Sequence, residues 1–291
     1  MATRPTTIGD TGDRHRSQSN RSAWGFLTRN ATLSAGALCL LMVTGSAVGA
    51  GLLGTRDPQA MRPVARLRPP SPDQWFGTDH YGRDLCARTL YGGRVSLAIG
   101  SAVAILSLGI GTAIRLVGGY FRRLDAVVMR VMDELMAIPG ILLALALMAL
   151  VRASLRSVII ALMVPEIPRT VRLVRASVLS LREQIMVEST RAVGAGTPRI
   201  LLRYILPALV APLIVQGTDI CASAILVEAY LSFLGVGTPP HIPSWGNIMA
   251  EGRAYVQIAF WFILFPGLFL AATVLAINMI GDGLRDVLEV R

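Results

Sequence analysis

Long apolar stretches constrain this 291-residue chain more than any other feature. A helix needs about 20 apolar residues to cross the roughly 30 Å hydrocarbon core of a bilayer. Stretches of that kind occupy about 31–54, 95–119, 126–150, 157–178, 208–234 and 257–280. They predict an all-α polytopic membrane protein with six transmembrane helices. The fourth stretch is the weakest, because Pro165, Glu166 and Arg169 interrupt it.

The composition agrees with a membrane protein, since 53% of the residues are hydrophobic, 16% are charged and the mean hydropathy is +0.56. That balance is too apolar for an ordinary soluble domain. All 28 basic residues are arginine. The phosphate-binding loop G-x-x-x-x-G-K-[ST] requires a lysine, so the chain lacks this ATP-binding loop. Arginine flanking membrane spans, close to anionic lipid, explains the net charge of +10 without any nucleic acid.

Arginine is concentrated in segments that fall on one side of a six-span protein. It is frequent in 1–30, in 169–203 and near the C-terminus. The positive-inside rule therefore predicts that both termini and a loop at about 179–207 lie in the cytoplasm. The segment 55–94 also carries seven arginines and would lie outside, but longer segments influence topology less strongly.

The remaining polar segments divide the chain into four parts. Residues 1–22 are rich in Thr, Ser, Arg and Gly and predict a disordered cytoplasmic tail. Residues 23–54 predict an interfacial segment and the first transmembrane helix, which lies too far from the start for a signal peptide. Residues 55–94 predict an extracytoplasmic segment, and residues 95–291 a five-helix transport core.

The polar stretch 187–207, VESTRAVGAGTPRILLRYILP, separates two apolar spans. Glycines and a proline within it predict two short helices. The second should end at Leu206-Pro207, where proline fixes φ and the next membrane helix begins. An ordinary basic loop that forms a helix hairpin would show the same pattern of glycine and proline.

The spacing within this stretch resembles the signature loop of the permease subunits of ABC importers. That pattern reads Glu-Ala-Ala, three residues, Gly, nine residues, an apolar position, any residue and Leu-Pro. The matching positions are Glu188, Gly194, Leu206 and Pro207, and the departures from the pattern are Ser189, Thr190 and Tyr204.

The resemblance implies that this loop couples the permease to an ATPase subunit. The residues expected to carry the coupling are Glu188, Arg191, Gly194, Leu206 and Pro207. Glu188 would cap backbone N–H groups or pair with Arg191 or Arg182. Gly194 would permit a close backbone approach.

Further sequence blocks extend the resemblance over nearly everything after residue 75. They are GTDHYGRDLCARTLYGGRVSLAIG at 77–100, GGYFRRLDAVVMRVMDELMAIPG at 118–140, SFLGVGTPPHIPSWGNIM at 232–249 and PGLFLAATVLAINMIGDGLRDVLEVR at 266–291. Together with the loop they resemble the C-type permease subunit of dipeptide and oligopeptide importers. Nickel and glutathione importers are related to that group.

The resemblance implies a type I ABC importer permease fold and peptide import through one half of a heterodimeric pathway. Expected partners are a second permease chain, ATP-binding subunits, an extracytoplasmic solute-binding protein and membrane lipid. ATP and Mg²⁺ would be bound by the partner ATPase, while this chain would bind no cofactor or metal and catalyse no reaction. Nickel or glutathione remains an alternative solute.

Two other classes of function are weaker alternatives. An autonomous secondary transporter is disfavoured, because the sequence shows no inverted pair of interrupted helices. An intramembrane enzyme is disfavoured, because neither H-E-x-x-H nor G-x-S-x-G occurs.

Charged residues within the apolar stretches need a partner or a water-facing role, because intramembrane charge is costly. The candidates for a solute pathway are Asp133, Asp219 and Glu228. Arg115 and Glu134 are expected to pair with each other or to snorkel toward the interface. Arg130 lies within helical reach of both Asp133 and Glu134.

Three smaller expectations remain open. Asp79, Arg83 and Asp84 could dock a solute-binding protein or hold a helix start by capping, and the sequence does not separate these roles. The histidines lack the spacing of a metal site; they are His15, His80 and His241. Gly283 is expected to terminate the last helix.

Overall fold

The computed structural model describes residues 31–51, 57–118 and 122–289, so the tail expected at 1–22 lies outside the described residues. The described chain is helical and contains no strand, only two isolated bridges, Ser71–Gln74 and Thr78–Asp84. The α-helices are α1 Ala31–Val48, α2 Leu85–Gly118, α3 Arg122–Ala137, α4 Gly140–Leu150, α5 Leu155–Arg182, α6 Ile185–Ala192, α7 Thr197–Ile200, α8 Leu206–Phe233, α9 Trp245–Gly252 and α10 Trp261–Glu289. The all-α prediction is confirmed.

Four helical segments of the described chain are long and apolar enough to cross a membrane. They are Ala31–Gly51, Leu85–Leu116, Leu201–Phe233 and Trp261–Leu288. A fifth span is possible if α3 and α4 count together, but they meet at a bend of 92°. The bend lies at Ile138-Pro139, and a residue before proline is disfavoured in the α conformation. The span predicted at about 126–150 is therefore bent in the middle, and a total of six spans is compatible with the described helices.

Helix α5 occupies the fourth predicted stretch but is not among the segments that are apolar enough to cross a membrane, and Glu166, Arg169 and Arg172 lie within it. Ser154 caps its first turn by accepting a hydrogen bond from the Ser157 N–H at 3.1 Å. The helix continues through Pro165 and Pro168, and it packs along α2. Membrane helices tolerate proline where packed neighbours satisfy the freed backbone groups.

The centre of the bundle is apolar and is formed by α2, α4, α5 and α8. Val103 of α2, Val158 of α5 and Ile220 of α8 are fully buried within one cluster. Side chains that are far apart in sequence therefore meet in one apolar core.

Helices α1 and α10 pack tightly because small residues face the contact. A Cβ on Gly36 would lie 2.8 Å from the Ala276 carbonyl oxygen, and one on Gly283 would lie 2.7 Å from the Leu33 Cβ. Close approach through small residues is typical of membrane helix pairs. The expectation that Gly283 terminates the last helix is wrong, since α10 continues to Glu289. Gly283 serves packing instead.

The bundle has two distinct ends. One end, called the α9 end, contains helix α9 itself, the irregular segment 57–84 and the N-termini of α2 and α10. The loop end contains α6, α7 and the C-terminus of α2. The helical path from α7 into α8 is continuous, because a π-helical segment, Leu201–Ile205, joins them.

That continuity corrects the expectation of a helix stopping at Leu206-Pro207. Pro207 lies in the first turn of α8, immediately after the π segment. Proline lacks a backbone N–H and its ring clashes with the carbonyl of the preceding turn. The wider π turn accommodates both the missing N–H and the ring of Pro207. The helix therefore continues from α7 into α8 without a break.

Candidate coupling loop and charged sites

The predicted coupling loop is a compact helix–turn–helix at the loop end. Gly194 follows α6 with φ +88°, a left-handed conformation that side chains disfavour. The Ala195 N–H donates back to the Thr190 carbonyl at 3.2 Å, closing the helix end in the manner of a Schellman motif. A Cβ on Gly194 would meet nothing within 4 Å. The expected close backbone approach is therefore wrong, and glycine is required by the left-handed φ.

One face of the loop is anchored to the bundle by an apolar cluster. Val187 of α6 and Ile200 of α7 are buried against Val174 and Val178 of α5 and Leu209 of α8. The loop thus contacts two long helices at once. The apolar cluster therefore fixes the loop against both α5 and α8.

The opposite face of the loop exposes large apolar side chains to solvent. Ile185, Met186 and Val193 are exposed, and Val193 is 90% accessible. Water-exposed apolar groups rimmed by polar residues mark interaction sites. Glu188 is exposed in the first turn of α6, where a carboxylate interacts favourably with the helix dipole.

The other predicted coupling residues occupy different positions on this unit. Arg191 belongs to α6, and its side chain lies outside the described part. Leu206 is half-buried and Pro207 exposed at the start of α8. Ser189 and Thr190, which replace the alanines of the pattern, turn their hydroxyls back to the Met186 carbonyl at 3.1 and 2.7 Å. The hydroxyl groups of both replacements are therefore hydrogen-bonded within α6.

A network of ionic hydrogen bonds closes the α9 end. The Asp79 carboxylate is fully buried and accepts from Arg83 Nε at 2.5 Å and from Arg88 Nη1 at 2.7 Å. Glu251 of α9 accepts from the same two arginines at 2.6–2.9 Å. Asp84 caps α2 by accepting from the Cys86 N–H at 2.9 Å. Asp79, Arg83 and Asp84 thus hold a helix start together, the second of their two expected roles.

His80 lies beside this network, and with Asp79 and Glu251 it forms a group whose possible ligand atoms all lie within 4.8 Å of one another. Burial lowers the pKa of His80, against the opposing effect of Glu251. The guanidinium groups of Arg83 and Arg88 already donate into both carboxylates. Two fixed positive charges oppose a bound cation, so the geometry is that of a salt-bridge network.

Glu228 of α8 is fully buried within a cluster of hydroxyl groups. Its Oε1 accepts from Ser232 at 2.7 Å and from Thr238 at 3.2 Å. Ser244 hydrogen-bonds Thr238 and caps α9. The carboxylate therefore joins the end of α8 to the following loop and α9. The structure places it inside the packing of the subunit.

Charged residues of α3 form ion pairs both with neighbouring helices and within α3 itself. Asp133 accepts from Arg172 of α5 at 2.6 Å. Arg115 of α2 forms an ion pair with Asp125, and Glu134 lies 3.5 Å from Arg130. The expected pairing of Arg115 with Glu134 is wrong, because Asp125 occupies that place. Arg130 bridges to Glu134, as its helical spacing predicted.

Asp219 is exposed on α8 near Glu166 of α5. The sequence named Glu166 only as an interruption of the fourth stretch. Glu166 Oε1 accepts from Ser223 of α8 at 3.3 Å, and Arg169 lies 3.4 Å from its Oε2. The positions of two prolines beside acidic and basic residues were the only signal in the sequence for this site.

Comparison with known proteins identifies the family of this chain. Residues 105–291, more than half of the chain, match the family described as binding-protein-dependent transport system inner membrane component. The chain belongs to this family. It is a multi-pass inner-membrane permease subunit of an ABC importer, and such a subunit works with ATP-binding subunits.

Relatives of this permease subunit cover nearly its whole length. A putative peptide transport system permease protein of Brucella abortus is 49% identical over 91% of this chain and 90% of its own. A dipeptide transport system permease protein of Alkalihalophilus pseudofirmus is 39% identical over 92% and 89%. A glutathione transport system permease protein of Pectobacterium atrosepticum is 38% identical over 94% and 93%.

The fold is also similar to that of a solved importer. A chain from inward-facing conformations of the MetNI methionine ABC transporter superposes with a TM-score of 0.55 at 18% identity. The match covers 70% of this permease subunit and 95% of the other chain. At that identity the likeness concerns the fold alone, and it confirms the expected type I importer permease architecture.

Proposed function

We propose that this permease subunit imports di- or oligopeptides as one half of a heterodimeric pathway. The observation that carries the proposal is the coupling loop, which is anchored on α5 and α8 while Ile185, Met186 and Val193 face outward. An apolar outer face and a rigidly packed inner face suit a surface that receives force from another protein. Near relatives named for peptide transport support the choice of solute.

In this proposal the loop end lies in the cytoplasm, with both termini on that side. Arginine at the loop end supports the orientation, including Arg199 and Arg203. ATP and Mg²⁺ bind to the partner ATPase subunits, and this chain holds no cofactor. A solute-binding protein docks at the opposite, α9 end, where the ionic network of Asp79 and Glu251 fixes the segment 57–84.

Transport then follows a two-state cycle. ATP binding brings the partner domains together, the loop moves with them, and α5 and α8 shift toward an outward-open arrangement. Hydrolysis returns the pathway inward. The loop is where the ATP-dependent bias enters, since a ligand shifts a conformational equilibrium only through differential contacts with its two states.

The first test is purification of the tagged chain in mild detergent, followed by identification of bound proteins. A second permease chain and an ATP-binding subunit are expected. Val193→Glu should abolish recovery of the ATP-binding subunit, because a charge would replace the centre of the apolar face. Val64→Glu is the matched control, since Val64 is 89% exposed at the opposite end. Equal loss in both variants would contradict the assignment of the loop.

The solute is tested by uptake into liposomes that contain the complete complex and its binding protein. Dialanine and longer peptides should accumulate only with ATP. Glutathione is the competing solute, because one relative at 38% identity is named for it. Uptake by the isolated chain without ATP would overturn the importer assignment and favour an autonomous transporter.

A further inference from the structure

A cavity of about 300 Å³ lies between α4, α5 and α8, beside the bend at Pro139. Its lining includes the apolar side chains of Leu162 and Val227. Three polar side chains face into it, Glu166, Arg169 and Ser223. Small-molecule sites are typically apolar cavities of roughly this size with a few convergent polar groups.

The ionic pair within the cavity is loose. Arg169 Nη1 lies 3.4 Å from Glu166 Oε2, and Ser223 Oγ lies 3.3 Å from Glu166 Oε1. Charge-assisted hydrogen bonds are normally about 2.7–2.9 Å long. By comparison, Arg172 of α5 and Asp133 of α3 meet at 2.6 Å outside the cavity. Glu166 therefore retains hydrogen-bonding capacity that its neighbours do not fill.

The two charged groups also differ in freedom to move. Glu166 is buried, whereas the Arg169 side chain is 52% exposed. A half-exposed arginine with a flexible side chain can rotate away from its carboxylate partner and bind a ligand instead. The cavity thus offers a fixed negative group and a mobile positive group about one helical turn apart.

The cavity lies near the middle of the bundle. Ser223 is two residues from Cys221, whose carbonyl oxygen would lie 3.1 Å from a Cβ on Gly100. Gly100 is central in the span Leu85–Leu116. Ionisable groups at membrane depth are costly and usually serve a pathway.

We infer that this cavity contacts the transported peptide, with Glu166 binding its ammonium terminus and Arg169 its carboxylate terminus. The inference rests on the proposed function and names a site for it. A zwitterionic solute matches a site with one group of each sign. The apolar wall formed by Leu162 and Val227 suits the side chains of a short peptide. The cavity admits a dipeptide or one end of a longer chain.

The test uses the complete importer in liposomes, with dialanine-loaded binding protein, and measures both peptide uptake and ATP hydrolysis. Glu166→Gln and Arg169→Gln should lower the number of peptides moved per ATP by about tenfold, because each removes a charge-assisted contact with the solute. The thermal midpoint of the complex should change little in Arg169→Gln, since that side chain is half exposed. Glu134→Gln is the control, because Glu134 is an exposed carboxylate outside the cavity.

The outcomes distinguish a peptide-binding site from a structural ion pair and from failure of the proposed function. An unchanged ratio of peptide to ATP in both cavity variants, or a ratio that falls equally in Glu134→Gln, would overturn the inference while leaving peptide import intact. Uptake and hydrolysis that fall together with the thermal midpoint in both variants would show a structural pair and would also overturn it. Failure of the unmodified complex to move any peptide would overturn the proposed function and, with it, this site.

Discussion

Arg88 and Glu251 are 163 positions apart in the chain, yet they form two hydrogen bonds, Nη1 to Oε2 at 2.7 Å and Nη2 to Oε1 at 2.9 Å. The pair fastens the start of α2 to α9. Arg88 is 2% exposed and also donates to the buried Asp79. The α9 end is thereby fixed as one unit.

Removal of this arginine should destabilise the subunit strongly. Arg88→Met leaves Asp79 buried without one of its two arginines, and breaking a buried pair costs about 3–5 kcal/mol. We expect a clearly lower thermal midpoint in detergent. Arg130→Met is the control, because the Arg130–Glu134 pair is exposed at 3.5 Å and is worth less than about 1 kcal/mol. Equal midpoints for the two variants would contradict the role of the network.

Replacement of Gly194 should impair the coupling loop through the backbone. Gly194→Ala places a side chain at φ +88°, which costs about 1–2 kcal/mol in the left-handed conformation. We expect less ATP-driven uptake and weaker recovery of the ATP-binding subunit. Gly109→Ala is the control, because a Cβ there also meets nothing within 4 Å and its φ is ordinary. Full activity of Gly194→Ala would show that the turn tolerates other conformations.

The contact between α1 and α10 should depend on Gly36. Gly36→Ala would push a methyl group to 2.8 Å from both the Ala276 carbonyl oxygen and the Met279 Cβ. Overpacking of this kind typically costs about 1–3 kcal/mol. Gly45→Ala in the same helix meets nothing within 4 Å and should be neutral. Thermal midpoints of the purified variants measure the difference, and a neutral Gly36→Ala would indicate that α1 shifts freely on α10.

The partner of Arg115 can be identified by a double-mutant cycle. Arg115→Ala and Asp125→Ala should show a coupling energy, because the two side chains form an ion pair between α2 and α3. Arg115→Ala and Glu134→Ala should be additive within about 0.5 kcal/mol, since Glu134 pairs with Arg130. Stability of the single and double variants provides the measurement. The reverse pattern would restore the pairing expected from the sequence.

Much of the loop end was accessible from the sequence because its signals are local. Glycine at the end of α6 and proline in the first turn of α8 act through their own backbone geometry, wherever the rest of the chain lies. The sequence does not reveal why glycine is needed at position 194, since an open left-handed turn and a close contact both select glycine. Only the position of neighbouring atoms distinguishes the two.

The charged sites were less accessible because their partners are distant in sequence. Glu166 meets Ser223 across 57 positions, and Asp133 meets Arg172 across 39. No helical spacing connects such residues. The sequence carries no signal for the pair Arg88–Glu251 for the same reason, although Arg88 lies only nine positions from Asp79.

The sequence by itself determined that this chain forms helices, that it crosses a membrane and that one polar loop interrupts the spans. Those properties follow from the length of apolar runs and from the backbone limits of proline and glycine, which are local. The tertiary structure decided which charges pair, where α3 bends from α4 and which cavity gathers Glu166, Arg169 and Ser223. These depend on how helices pack against one another, and packing brings together side chains that the linear order keeps apart.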